Sequence, residues 1–283
     1  MAEAAPNEKA NEKAKKKFNY EVEVLSKEII SEEYVDGVKI TKFKHTVKQT
    51  DFPTLEEYKT MNKSYFDSLP TKVGVAEAKS IQDKTIADFS EKLANTPEVY
   101  EIETTKIGSH SITFEDVTRD WPSTWGTQKD PINIVFYNNA DWTTVDSIIL
   151  SDDYHDWNLG SGGSQWTFID ETAHGGSTYW AFGYGYEEGD YNTVRYHLRL
   201  FDGGADTHSG GFGTWSIGAV HKETHNGLGH TLVSNSWEIA ENHLGGDLAN
   251  TSGIGVVSSI NIGNSGDYQG INNSGYAALI EVQ

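Results

Sequence analysis

From Arg195 to Phe201 the chain reads RYHLRLF, and from Thr214 to His225 it reads TWSIGAVHKETH. Both stretches alternate in character. Successive side chains of extended backbone point to opposite faces, so Arg195, His197, Arg199 and Phe201 share one face while Tyr196, Leu198 and Leu200 share the other. The second stretch places Trp215, Ile217, Ala219, His221, Glu223 and His225 on a common face in the same way. Antiparallel pairing across residues 202–214 then sets His221 and Glu223 beside Arg195 and His197. These two segments predict a mostly antiparallel sheet with a polar patch on one face.

Composition makes that patch unusual. Beyond Asp130 the basic residues are Arg195, Arg199 and Lys222, against 18 Asp and Glu. The whole chain of 283 residues carries 22 Lys and Arg against 42 Asp and Glu, a net charge of −20. Such a charge repels phosphate backbones and anionic bilayers, which argues against a nucleic-acid partner. The absence of cysteine excludes disulfides, thiolate metal sites and a cysteine nucleophile. No membrane span is expected, because no apolar run reaches the roughly 18 residues that a spanning helix needs.

Outward from the patch, the sequence divides near residue 120. All eight Trp lie from Trp121 onward, and 24 of the 28 Gly lie beyond residue 130. Residues 1–19, opening MAEAAPNEKANEKAKKKF, read as a flexible tail, either a tether or a terminus left by removal of an export signal. An extracellular or cell-surface location is the expectation.

Residues 20–119 read as a small α+β region. NYEVEV alternates like a half-buried strand, and Asp36-Gly37 in VDGVKI signals a hairpin. Thr54 with Glu57 forms a capping box opening a helix that aligns Leu55, Tyr58, Tyr65 and Leu69. A second helix runs from about Ala76 to Ala94, and strands resume in VYEIETTKI and SITF. Residues 120–131, with two Pro and a Gly, form the expected linker.

Residues 132–283 read as a Gly- and Trp-rich α+β domain. INIVFY is a buried strand, Asp141 caps the helix DWTTVDSIIL, and residues 151–190 hold short strand-like pieces such as QWTFI and YWAFGY. In NSWEIAENHLGGDL, Asn235 and Glu238 cap a helix whose Trp237, Ala240, Leu244 and Leu248 face the core, Gly245-Gly246 weaken or end it, and His243 is exposed. GIGVVSSINI and YAALIEV are the last two strands, and deleting the final nine residues is expected to unfold the domain.

The polar patch supports several chemistries. Arg195, His197 and Arg199 suit a small anionic or polar ligand, since guanidinium groups bind carboxylate or phosphate through two parallel bonds. The same arginines also suit neutralisation of the protein's own carboxylates. His197, His221, Glu223 and His230 suit zinc or another divalent metal, and with it a metal-dependent hydrolase. HKETH is not the helical His-Glu-x-x-His of zinc peptidases, no Gly-x-Ser-x-Gly elbow is present, and GSGGS at 160–164 lacks the lysine of a phosphate loop. Asp152, Asp153 and Asp156 lack calcium-loop spacing. Trp142, Trp157, Trp166, Trp180, Trp215 and Trp237 are either core residues or an adhesive platform for a glycan or protein partner.

PINIVFYNNADWTTVDSIIL, RYHLRLF, WSIGAVHKE and GHTLVSNSWEIAENHLGGDL resemble, in order and spacing, the C-terminal domain of the LssY family over residues 131–248. That resemblance implies a shared site at Arg195, His197, Arg199, His221 and His230. It implies no reaction, and the phosphatase motif of membrane-linked members is missing from this chain.

Overall fold

A computed structural model of the protein describes residues 19–49, 51–108, 113–114, 117–118, 129–151, 157–160, 166–172, 176–190, 192–206, 211–225 and 230–283. The chain is α+β and largely sheet. It begins with a long hairpin of β1 (Asn19–Val35) and β2 (Val38–Gln49). Asp36 and Gly37 at its tip have φ of 49° and 82°, the left-handed pair that matches the twist of a two-residue turn. Three helices follow, α1 (Leu55–Met61), α2 (Lys63–Val73) and α3 (Val75–Ala94). The Thr54–Glu57 capping box opens α1 as expected, but Asn62 divides the single expected helix into α1 and α2. Tyr58 of α1 stacks on Phe89 of α3 at 3.8 Å, while Tyr65, Phe66 and Leu69 of α2 pack with Ala78.

β3 (Val99–Ile107), β4 (Thr113–Phe114), β5 (Val117–Thr118) and β6 (Lys129–Asp130) come next, then β7 (Ile134–Asn139) and α4 (Trp142–Leu150), capped by Asp141. β8 (Asn158–Leu159), β9 (Trp166–Asp170), β10 (Thr178–Gly189), β11 (Val194–Asp206), β12 (Gly213–His225) and β13 (His230–Leu232) lead to α5 (Ser236–Leu248). β14 (Ile254–Asn261), β15 (Gly266–Tyr268), β16 (Ile271–Asn273) and β17 (Tyr276–Val282) complete the chain.

β10 organises the molecule, because its two halves belong to different layers. Its first half pairs with β1 and β9, and the ladder β10–β1–β2–β3–β4–β9–β10 closes on itself as a small barrel. Tyr20, Val47, Tyr100, Ile102, Trp166, Phe168 and Trp180 form one core cluster of this barrel. Its second half, from Gly183, pairs with β11 and enters a second sheet ordered β14–β17–β7–β12–β11–β10. Every pairing in that sheet is antiparallel except β17 with β7. Ile134, Phe136, Leu198, Leu200 and Val220 on one face pack against Val145 and Ile149 of α4 and Ala240, Leu244 and Leu248 of α5. The other face turns Phe201, Trp215 and Ile217 toward Tyr179, Ala181, Ile40 and Ile107.

Several expectations change here. The regions expected as 20–119 and 132–283 share one continuous sheet and one core, since Ile40 and Ile107 pack with Ile217 and Trp215. Asn19 of the expected tail already belongs to β1, and Lys129-Asp130 of the expected linker forms β6; the rest of the tail and most of the linker lie outside the described residues. The short pieces foreseen within 151–190 include a 12-residue strand, β10, at the junction of both layers. α5 runs through Gly245-Gly246 to Leu248, because packing of its flanking leucines outweighs glycine's weak helix preference. Asn235 has a left-handed backbone and makes no side-chain cap, and Glu238 instead accepts from the Ser274 amide at 2.7 Å. The six tryptophans considered as a platform are at most 8 % exposed and form core.

Candidate metal centre on the central strands

Register decides which side chains meet. β11 and β12 pair with Arg195 opposite Glu223, His197 opposite His221 and Phe201 opposite Ile217, on the common face that the alternation of the two stretches predicts. β10 adds Glu187 opposite His197 on the other side of β11. The result is a polar layer at one end of an otherwise apolar interface. Arg195, His197, Arg199, His221 and Glu223 are all between 0 % and 6 % exposed.

Glu223 is the hub. Its Oε1 accepts from Arg195 Nε at 2.5 Å and lies 3.4 Å from His230 Nδ1 and 3.8 Å from His197 Nδ1. Its Oε2 lies 3.1 Å from His221 Nε2. Arg195 also donates through Nη1 to Glu187, and Lys72 of α2 reaches the second oxygen of Glu187. On the far side, Arg199 Nη1 stands 3.5 Å from His221 Nδ1 and 3.7 Å from Asp130 Oδ2, while Gln269 donates to the other Asp130 oxygen.

A gap in the sheet lets α5 reach this layer. β12 pairs with β7 up to Gly218 and with β13 from Glu223, which leaves the edge between them without a strand partner. Side chains fill it. Asn133 donates to Val220 O at 2.9 Å and accepts from Val220 N at 2.8 Å, and Ser236 bonds both Lys222 N and O. Trp237, next to Ser236, therefore meets His221 edge to face, ring centres 5.6 Å apart.

Burial and charge fix the protonation states. Burial, then the Arg199 and Arg195 charges, push His197 well below the usual imidazole range. Burial also lowers His221 and His230. Burial alone would lift the Glu223 carboxyl, yet the His221 hydrogen bond and the neighbouring His197 and Arg195 hold it well below the usual carboxylate range. Burial thus disfavours charge on the imidazoles, while the donors around Glu223 favour its ionised form.

His197, His221 and Glu223 each offer one donor atom, and these lie within 4.8 Å of one another. Neighbouring donors around a tetrahedral zinc with bonds of about 2.0–2.1 Å are about 3.3 Å apart, close to the His221–Glu223 spacing. His230 of β13, at 16 % side-chain exposure, is the outermost of the expected donors, and His225 of β12 pairs with it. Arg195 is not directed at an open surface, since its guanidinium lies between Glu187 and Glu223.

Sequence reasoning missed Glu187, Lys72, Asp130, Gln269 and Trp237. Only Glu187 carried a usable signal: YEEG pairs with RYHL, and that register puts Glu187 beside His197. Asp152, Asp153 and Asp156 and most of GSGGS lie outside the described residues. No family model matches the chain. No curated protein matches it either. No solved structure matches it.

Proposed function

We propose that the protein binds a divalent transition metal, zinc or a similar ion, through His197, His221 and Glu223, with His230 as a fourth donor. The convergence of two imidazoles and a carboxylate from adjacent strands carries this reading. Nitrogen and oxygen donors of this kind suit zinc, and the rigid β11–β12 ladder holds them without a loop to order. His197, His221 and His230 are also the histidines that the resemblance to the LssY C-terminal domain would make part of a shared site, which agrees with this reading.

A metal-dependent hydrolase is the second reading. An ion held by three protein donors keeps a position for water, and a bound water ionises near neutral pH. In this reading His230, the residue of the four nearest solvent, carries a proton rather than binding the ion. The anionic or polar ligand expected at Arg195, His197 and Arg199 then becomes a co-ligand of the ion, because Arg195 already serves two protein carboxylates.

Calorimetric titration of chelator-stripped protein with Zn2+ tests the reading. One equivalent that His197→Gln and His221→Gln each abolish, with folding retained, supports it. Equal binding by wild type and both variants contradicts it.

A further inference from the structure

The opposite face of β11 carries a second group of donors. Tyr196 points away from the buried centre, and the His243 ring of α5 lies on it, centroids 3.9 Å apart and planes 19° apart. His243 Nε2 faces Glu188 Oε2 of β10 at 2.6 Å and Asp247 Oδ2, one helical turn further along α5, at 3.2 Å. Residues four apart on a helix share a face, so two donors come from one helix and the third from the strand beneath it. From these relations we infer that Glu188, His243 and Asp247 form a second divalent-cation site, independent of the buried centre.

Three observations carry this inference. The three donor atoms lie within 4.8 Å of one another, and both carboxylate oxygens converge on the same imidazole nitrogen. A proton now fills the 2.6 Å spacing between His243 and Glu188, and a tetrahedral set with bonds of about 2.0–2.2 Å needs that pair to open to about 3.3–3.6 Å, while the 3.2 Å spacing to Asp247 is already close. The charge also balances. The Glu188 hydrogen bond raises the His243 pKa, so an entering dication displaces that proton and then meets one neutral imidazole and two carboxylates, whose two negative charges it cancels. Finally, the ring is oriented in advance by Tyr196, so little side-chain freedom is lost on binding.

Glu188 and His243, with side-chain exposures of 18 % and 26 %, form the solvent side of the group, and Asp247 is its buried member. One nitrogen with two oxygens suits Zn2+ or Mn2+ better than a soft copper(I) ion. Lys222 lies over the Tyr196 ring at 5.0 Å and is the nearby cation that opposes loading. Bound there, the ion ties α5 to β10. It would therefore hold in place the helix that delivers Trp237 to His221.

The test uses full-length, chelator-stripped protein and Zn2+ alone, in equilibrium dialysis. A His221→Gln background silences the buried centre, so failure of that centre and of this site read separately. We expect His221→Gln to keep one equivalent of Zn2+ and to lose it on adding Glu188→Gln and Asp247→Asn, both close in shape to the natural residues. If His221→Gln does not fold, the same pair of changes should remove one equivalent from the wild-type protein. Mn2+ should in addition broaden the His243 and Tyr196 ring resonances before others. Zn2+ stoichiometry untouched by Glu188→Gln/Asp247→Asn, or no broadening at these rings, overturns the inference.

Discussion

Arg195 and Glu223 are register partners across β11 and β12, and the guanidinium Nε lies 2.5 Å from Oε1 while Oε2 of the same carboxylate lies 3.1 Å from His221. One carboxylate thus serves the cation and the imidazole together. Replacing Arg195 by Met should leave Glu187 and Glu223 buried without their shared counter-charge and lower stability by about 3–5 kcal/mol. Urea unfolding measures this, and adding Glu187→Gln to Arg195→Met should recover part of the loss. A change within about 0.5 kcal/mol would show that the ion pair is energetically neutral.

Asn133 substitutes for a missing strand by bonding both backbone groups of Val220. Asn133→Ala should cost at least about 2 kcal/mol, since a buried amide and a buried carbonyl each lose a partner. The effect should appear in thermal melts and as faster amide exchange at Val220.

His45 is wholly buried and bonds Thr104 at 2.8 Å. Burial, helped by the Lys27 charge, lowers it to about 4 from 6.5. Between those values the unfolded chain holds a proton that the folded one has released. Stability is therefore full above pH 6.5 and falls as pH drops toward 4, by about 3 kcal/mol at the limit. Urea midpoints at pH 7 and pH 4.5 should converge in His45→Gln, apart from the drift due to other groups.

β17 lies between β14 and β7 and contributes Ala278, Ile280 and Val282 to the core. Deletion of the last nine residues should abolish cooperative unfolding. A soluble truncated chain with a sharp melt would contradict the placement of this strand.

Gly203 approaches Trp215 so closely that an added Cβ would lie 2.3 Å from the ring. Gly203→Ala should destabilise by about 1–3 kcal/mol, the usual range for overpacking, and change tryptophan fluorescence.

The alternation of RYHLRLF and WSIGAVHKETH made the faces of β11 and β12 and their polar layer legible, because a period of two leaves one choice of face once Leu198 and Leu200 face inward, whereas the register also depends on the irregularity between Asp202 and Ala205. The Asp36-Gly37 turn, the Thr54 cap and the Asp141 cap were legible for similar local reasons. The barrel was not. Its closure depends on β10 pairing with β1, residues about 160 apart, and no local pattern encodes such a partner. His243 was read as exposed because a helix face is judged from spacing alone, whereas Tyr196 and Glu188 beneath it become visible only once α5 is docked. Lys72 reaches Glu187 for the same reason, from a helix more than a hundred residues away.

The central claim is a metal held by His197, His221 and Glu223. Its most direct test is elemental analysis of untagged protein, purified without a metal column, with the melting temperature recorded before and after chelation. At least one equivalent of zinc or a similar ion is expected, with melting lowered by the chelator and one equivalent missing from His221→Gln. Metal-free protein with an unchanged melt, and no rise in melting on adding Zn2+, would contradict the claim and leave the layer as an internal network of arginine, carboxylate and neutral histidine.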